Sequence, residues 1–143
     1  ELKKVYIGDW DNLAKAEKLL TGLIDDGFDV IAIIADSLDS KLHNLAARKN
    51  IYTVGWISDL NYLSQKTVIA SCVANINALL YNCCLLVQKG KWEGKQYVFG
   101  FADGAIDLRL QPGLFTKVEL DYYNKIRNSV LNDEWVIEDK YSN

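Results

Sequence analysis

The chain has no methionine, one proline, one histidine and three cysteines in 143 residues, and each scarcity removes a class of explanation. With His43 as the single histidine there is no HExxH helix and no cysteine with a histidine close by, so zinc-hydrolase and thiol-nucleophile templates lack partners. Cys72, Cys83 and Cys84 are too few and too unevenly spaced for a disulfide framework or a CxxC zinc site. They read as buried thiols that act as small hydrophobes. Neither GxxxxGK[ST] nor GxGxxG occurs, which argues against a nucleotide triphosphatase, and GxSxG is missing too. No apolar run reaches the roughly 18 residues of a membrane-span candidate, and no secretory h-region opens the chain. Sixteen basic and nineteen acidic residues give a net charge of -3. No basic run tracks a phosphate backbone, so direct nucleic-acid contact by this segment is not expected. A chain that begins at Glu1, carries no methionine and opens almost directly on a strand is expected to be a mature fragment or a domain excised from a longer protein.

What is present is a repeated alternation of apolar runs and helical stripes. Lys3 to Gly8 reads as a first strand, turned by Gly8-Asp9-Trp10-Asp11 toward a helix that Asp11 or Asn12 caps. Leu13, Ala16, Leu19, Leu20, Leu23 and Ile24 form its apolar stripe, and Gly27 ends it. Asp29 to Ala35 is a second strand, apolar at every position from Val30, as in a strand covered on both faces. A helix follows from the Asp36-Ser37-Leu38-Asp39-Ser40 caps to about Lys49. His43 falls off its Leu42, Leu45, Ala46 row and is expected to be solvated rather than a base or a ligand.

Ile51 to Leu60 is the organising stretch, a third strand that runs into a short polar loop. A fourth strand, Thr67 to Cys72, leads to a helix capped by Asn75 and running to about Lys89. Gln96 to Phe101 and Ala105 to Leu110 then read as a hairpin across Asp103-Gly104. Thr116 to Glu119 is a capping box that opens the last helix, after which Trp135, Val136 and Ile137 are expected to dock the tail. At this length the chain is one domain. The order predicts an α/β, three-layer doubly wound domain with a mostly parallel sheet, a C-terminal β-hairpin and a final helix.

In such folds ligands bind where loops gather at the carboxyl ends of parallel strands. Those ends carry Asp9, Trp10 and Asp11, then Asp36 and Ser37, then Trp56 and Asp59. The carboxylates are able to accept hydrogen bonds from a ligand, and an indole is able to stack on a planar group; solvated caps and plain packing are the bland alternatives. The sequence points to no cofactor, metal or catalytic residue. A small-molecule ligand is the expected partner.

The blocks VYIGDWDNLAKA, GFDVIAIIADS, YTVGWISDLNYL, TVIASCVANINALLY and KGKWEGKQYVFGFADGAIDL together resemble the Bmp/PnrA-like basic membrane lipoproteins, a family of substrate-binding proteins, and keep their order. The resemblance implies the C-terminal half of a type I periplasmic-binding protein with two α/β lobes around a ligand, non-enzymatic, in which the segment from about Val73 to Phe101 helps complete the missing N-terminal lobe. It implies that Trp10 stacks on the base of a nucleoside. It also marks departures: Ile57 stands where the family's GVDSDQ block has an aspartate for the ribose hydroxyls, Asp59 keeps the second aspartate, and Ala102 replaces a common lysine. A ribose hydroxyl buried against Ile57 would go unsatisfied, at about 1 to 3 kcal/mol. The GWISDL block is similar to a second branch, the Med-type regulators, which share the fold. The transport branch implies extracytoplasmic anchoring through an upstream lipid, and the regulator branch a cytoplasmic location. Either the missing lobe or a second copy of the chain, giving a dimer, is expected to cover the exposed half.

Overall fold

The computed structural model describes residues 2–132 and 134, so the tail expected to dock through Trp135 to Ile137 lies outside the described residues. The chain divides into two compact units, one of Glu1–Val73 with Leu108–Leu114, the other of Ala74–Asp107 with the chain from Phe115 onward.

The first unit begins with α1, Leu13–Asp25, capped by Asn12, whose side chain accepts from the Lys15 amide. Gly27 ends α1 at a φ of +91°. The Phe28 amide reaches back to the Leu23 carbonyl and the Gly27 amide to that of Ile24, the paired closure of a Schellman motif. Strand β1 is Val30–Ala32, helix α2 is Asp39–Arg48, β2 is Tyr52–Ile57 and β3 is Val68–Ala74. β1, β2 and β3 are parallel, with Ile31 beside Thr53 and Trp56 beside Cys72. One extra residue between the partners of Thr53 and Val54 makes a bulge in β3. β4, Ile106–Leu110, completes the order β1-β2-β3-β4. It runs antiparallel to β3, since Asn75 bonds to Ala105 at one end and Gln111 to Ile69 at the other. The α/β class and the mostly parallel sheet are as the sequence predicts.

The core joins Ala16, Leu20 and Leu23 of α1, Ile31, Ile33 and Ala35 of the β1 segment, and Leu42 and Ala46 of α2. Alternate residues Ile31, Ile33 and Ala35 are buried, whereas Val30 is 45% and Ile34 62% exposed. The expectation that this strand is covered on both faces is therefore corrected: in the first unit α1 and α2 pack on the same side of it. The first expected strand also does not form, and no ladder is made over residues 3–8. Gly8 turns the chain at a φ of +66°, and residues 5–8 line a cavity together with the β1 segment.

Two further expectations fail for identifiable reasons. His43 is fully buried, because α2 touches both α1 and β2 and so buries a wider stripe than the Leu42, Ala46 row alone. Cys72, on β3, and Cys83 are half-buried and Cys84 is exposed; the last two lie on α3, Ile76–Gln88, which has no buried residue along its length.

The second unit contains α3, capped by Asn75 as expected, and α4, Lys117–Leu131, opened by the Thr116–Glu119 capping box. Among its described residues only Ala105 is buried. The hairpin has only its second arm as a strand. Asp103 and Gly104 do form the turn, with the Ala105 amide bonded to the Gly100 carbonyl and the Gly100 amide to the Asp103 carboxylate. The first arm is diverted: the Tyr97 hydroxyl accepts from the Glu93 amide and donates to the Lys91 carbonyl, and its ring stacks between Trp92 and Phe99.

Candidate functional site

Five of the seven candidate site residues meet in the first unit. The Asp9 carboxylate accepts from the amides of Asp11 at 2.9 Å and Asn12 at 3.2 Å, which tightens the turn before α1. Trp10 is thereby left projecting, with 73% of its surface exposed. Across from it, the Ser37 hydroxyl donates to the Trp10 carbonyl at 2.9 Å and lies 3.2 Å from an Asp11 carboxylate oxygen, so its single proton is shared between two acceptors. Asp36 precedes it at a φ of +45°, a left-handed conformation that aspartate tolerates better than most residues. These bonds tie the loop after residue 8 to the loop after β1.

Beneath this cluster is a cavity of about 380 Å³, lined by residues 5–10, by α1 and by the β1 segment. Asp9 is the only charged residue in the lining. Ala35 is part of the lining, and its amide donates to Asp39 at 2.7 Å. Burial raises the Asp39 carboxyl above its ordinary range, the neighbouring Asp36 charge adds to this, and the Ala35 bond opposes it.

Asp59 is elsewhere. It faces Arg109 at 3.4 Å across a separate open depression of about 670 Å³ that also borders Asn61, Tyr62, Gln65 and Pro112. This depression shares no lining residue with the cavity under Trp10. The loop carrying Asp59 is pinned from below. The Ser71 hydroxyl, buried on β3, donates to the Asn61 side chain and accepts from the Leu60 amide, while the Asn61 amide donates to the Arg109 and Leu110 carbonyls. With its side-chain amide turned so that the nitrogen faces inward, Gln111 donates to the carbonyls of Asn61 and Val68. Trp56, 40% exposed, lines neither space. Next to it Ile57 stands at a φ of +66°, and the Ser58 amide returns to the Trp56 carbonyl to make a γ-turn.

Sequence reasoning missed Arg109, Asn61 and Ser71. Arg109 had a visible signal as a lone cation in the apolar run IDLRL, but Asn61 and Ser71 carry none without the fold. Among the described residues no cluster of histidine, cysteine, aspartate or glutamate is arranged to hold a metal ion.

A mostly parallel sheet with helices and loop-borne polar and aromatic residues along one edge has the fold of one lobe of a periplasmic-binding protein. The family follows from the whole chain: residues 1–141 match the model of the Bmp family, described as ABC transporter substrate-binding protein PnrA-like, and the chain belongs to that family. It is similar to the transcriptional activator protein med of Bacillus subtilis (strain 168), 24% identical over 127 residues, which cover 88% of this chain and 39% of that protein. Among solved structures it is similar to a transcriptional activator of the comK gene from Bacillus halodurans. That match has a TM-score of 0.82 and 19% identity, and covers 93% of this chain and 47% of the other. An ABC transporter solute-binding protein from Conexibacter woesei DSM 14684 matches with a TM-score of 0.67 and 13% identity, over 96% of this chain and 46% of the other. The chain thus spans less than half the length of these relatives.

Proposed function

We propose that this chain is a non-catalytic small-molecule-sensing lobe, working as part of a bilobed Bmp-family protein. The observation that carries the reading is the tie made by Ser37 between the Trp10 and Asp11 loop and the loop after β1, which sets an exposed indole and carboxylates over a cavity. Signalling requires that the ligand bind one arrangement of the protein better than another, since equal affinity shifts nothing. Calorimetry of the full-length protein that contains this chain, against a panel of nucleosides and other small metabolites, tests the proposal. Heat of binding with at least one compound, lost in Trp10→Ala, is expected. A silent panel, or binding untouched by Trp10→Ala, overturns it.

A second reading, a Med-like regulatory or interaction module that kept the fold without the nucleoside site, is favoured by Ile57. Its backbone is in the left-handed region and its side chain is 48% exposed, so it offers no hydrogen bond where the resemblance places a ribose-binding aspartate. On either reading the second unit needs a cover. It buries only Ala105 among its described residues while Ile76, Leu80 and Val87 of α3 and Val118 of α4 are exposed, and we take the cover to be further chain of the longer polypeptide. The compartment depends on the branch: outside the membrane behind a lipid anchor for a transporter, cytoplasmic for a regulator. Among the described residues no helix is long and apolar enough to cross a membrane.

A further inference from the structure

We infer that the cavity under Trp10 selects a small hydrophobic amine, a ligand with an apolar body and a cationic head. The inference rests on the small-molecule reading above and names its chemical class.

The body follows from the walls. Ile7, Leu19, Leu20, Leu23, Ile31 and Ile33 come from three parts of the chain and enclose about 380 Å³, within the range of roughly 300 to 1,000 Å³ that holds small ligands. A ribose placed there would leave its hydroxyls facing methyl groups, each losing its water without a replacement. An aromatic or aliphatic body meets no such penalty and removes apolar wall from water.

The head follows from the mouth. Asp9 and Trp10 both line the cavity, and Trp10 is exposed to solvent. Asp11 is tied to the same edge through Ser37, and Asp36 follows Ala35 of the lining. Lys15 brings its ammonium beside Gly8. Asp9, Asp11 and Asp36 make this edge acidic, with the Lys15 ammonium nearby. A cationic head is attracted there, and the exposed indole face adds a cation–π contact. An anionic head of the same size is repelled.

The test compares phenethylamine, 2-phenylethanol, 3-phenylpropionate and adenosine by calorimetry on the full-length protein that contains this chain. Phenethylamine is expected to bind at least tenfold more tightly than 2-phenylethanol, and 3-phenylpropionate not to bind. Asp9→Asn keeps an acceptor for the Asp11 and Asn12 amides, so the turn survives, yet it should bring the amine and the alcohol within about threefold of each other. Leu19→Trp fills the cavity and should abolish binding of both, with circular dichroism confirming the fold. Phenethylamine binding no better than 3-phenylpropionate, or a preference unchanged in Asp9→Asn, overturns the inference. Adenosine binding without phenethylamine binding also overturns it but leaves the small-molecule reading standing. Silence from all four compounds, and from the wider panel, removes both.

Discussion

His43 makes the stability of this protein fall in mildly acidic solution. The ring is fully buried, its Nδ1 lies 2.7 Å from the Thr53 hydroxyl, and its Nε2 has no partner. Protonation would place a charge there with no counter-ion, and burial lowers the His43 pKa from 6.5 to about 4. The folded state therefore holds fewer protons than the unfolded state between those values. The contribution is fully present above about pH 6.5, shrinks as pH falls, and is exhausted near pH 4. At pH 5.5 the loss is about 1.4 kcal/mol, and over the full window it is about 3 kcal/mol. Urea unfolding at a series of pH values measures it, with His43→Leu combined with Thr53→Val as the reference, since that pair removes the titrating ring without stranding the hydroxyl. Wild-type stability should fall by roughly tenfold in the folding constant at pH 5.5 relative to the double variant. Parallel curves for the two proteins between pH 7 and 4.5 would refute the assignment.

Three other perturbations give separate readings of the same unit. Gly55→Ala would bring a new Cβ to 3.0 Å from Leu60 Cβ and 3.1 Å from Ser71 Oγ, so a loss of about 1 to 3 kcal/mol is expected in urea unfolding. Asn61→Ala removes the acceptor of the buried Ser71 hydroxyl proton and two bonds to the Arg109 and Leu110 carbonyls, for a loss of about 1 to 3 kcal/mol. Thermal unfolding will show the drop, and Asp59 should become more mobile by NMR relaxation. Ile57→Gly relieves a left-handed conformation at +66° and should stabilise by about 1 kcal/mol or less, the relief being offset by glycine's larger entropy loss on folding. Destabilisation above about 1 kcal/mol would show that the half-exposed Ile57 side chain packs more than its exposure implies.

Much of the fold was legible because local chemistry and periodicity agreed. Asn12 and Asn75 cap their helices, Gly27 closes α1, and Thr116 with Glu119 opens α4, each bond lying within a few residues of its origin. What failed depended on neighbours distant in sequence. A run of apolar residues from Val30 to Ala35 does not say whether one face or two will be covered. His43 was misjudged because its burial comes from β2 and α1, not from its own helix. The hairpin's first arm was lost to Tyr97, whose hydroxyl and ring are captured by residues 91–93 and by aromatic neighbours. For the candidate site, the residues of the first two loops come together although residues 3–8 form no strand, because the Ser37 hydroxyl bonds to Trp10 and Asp11. That Asp59 stays apart could not be read, since the cation that draws it away is fifty residues later, on β4.

The two loop groups also differ in how they are held, and this bears on which of them can respond to a ligand. The Asp59 loop rests on the buried Ser71, Asn61 and Gln111 network, where opening exposes unsatisfied groups in low dielectric and is costly. The Trp10 loop is held to its neighbour by one exposed hydroxyl proton shared between two acceptors, a bond that water can replace at little cost. Motion on binding should therefore concentrate at residues 8–11 and 36–37 while the Asp59 loop stays fixed. Amide exchange compared between the two segments separates these cases: faster exchange at Asn61 than at Trp10 would reverse the order of rigidity argued from the bonds.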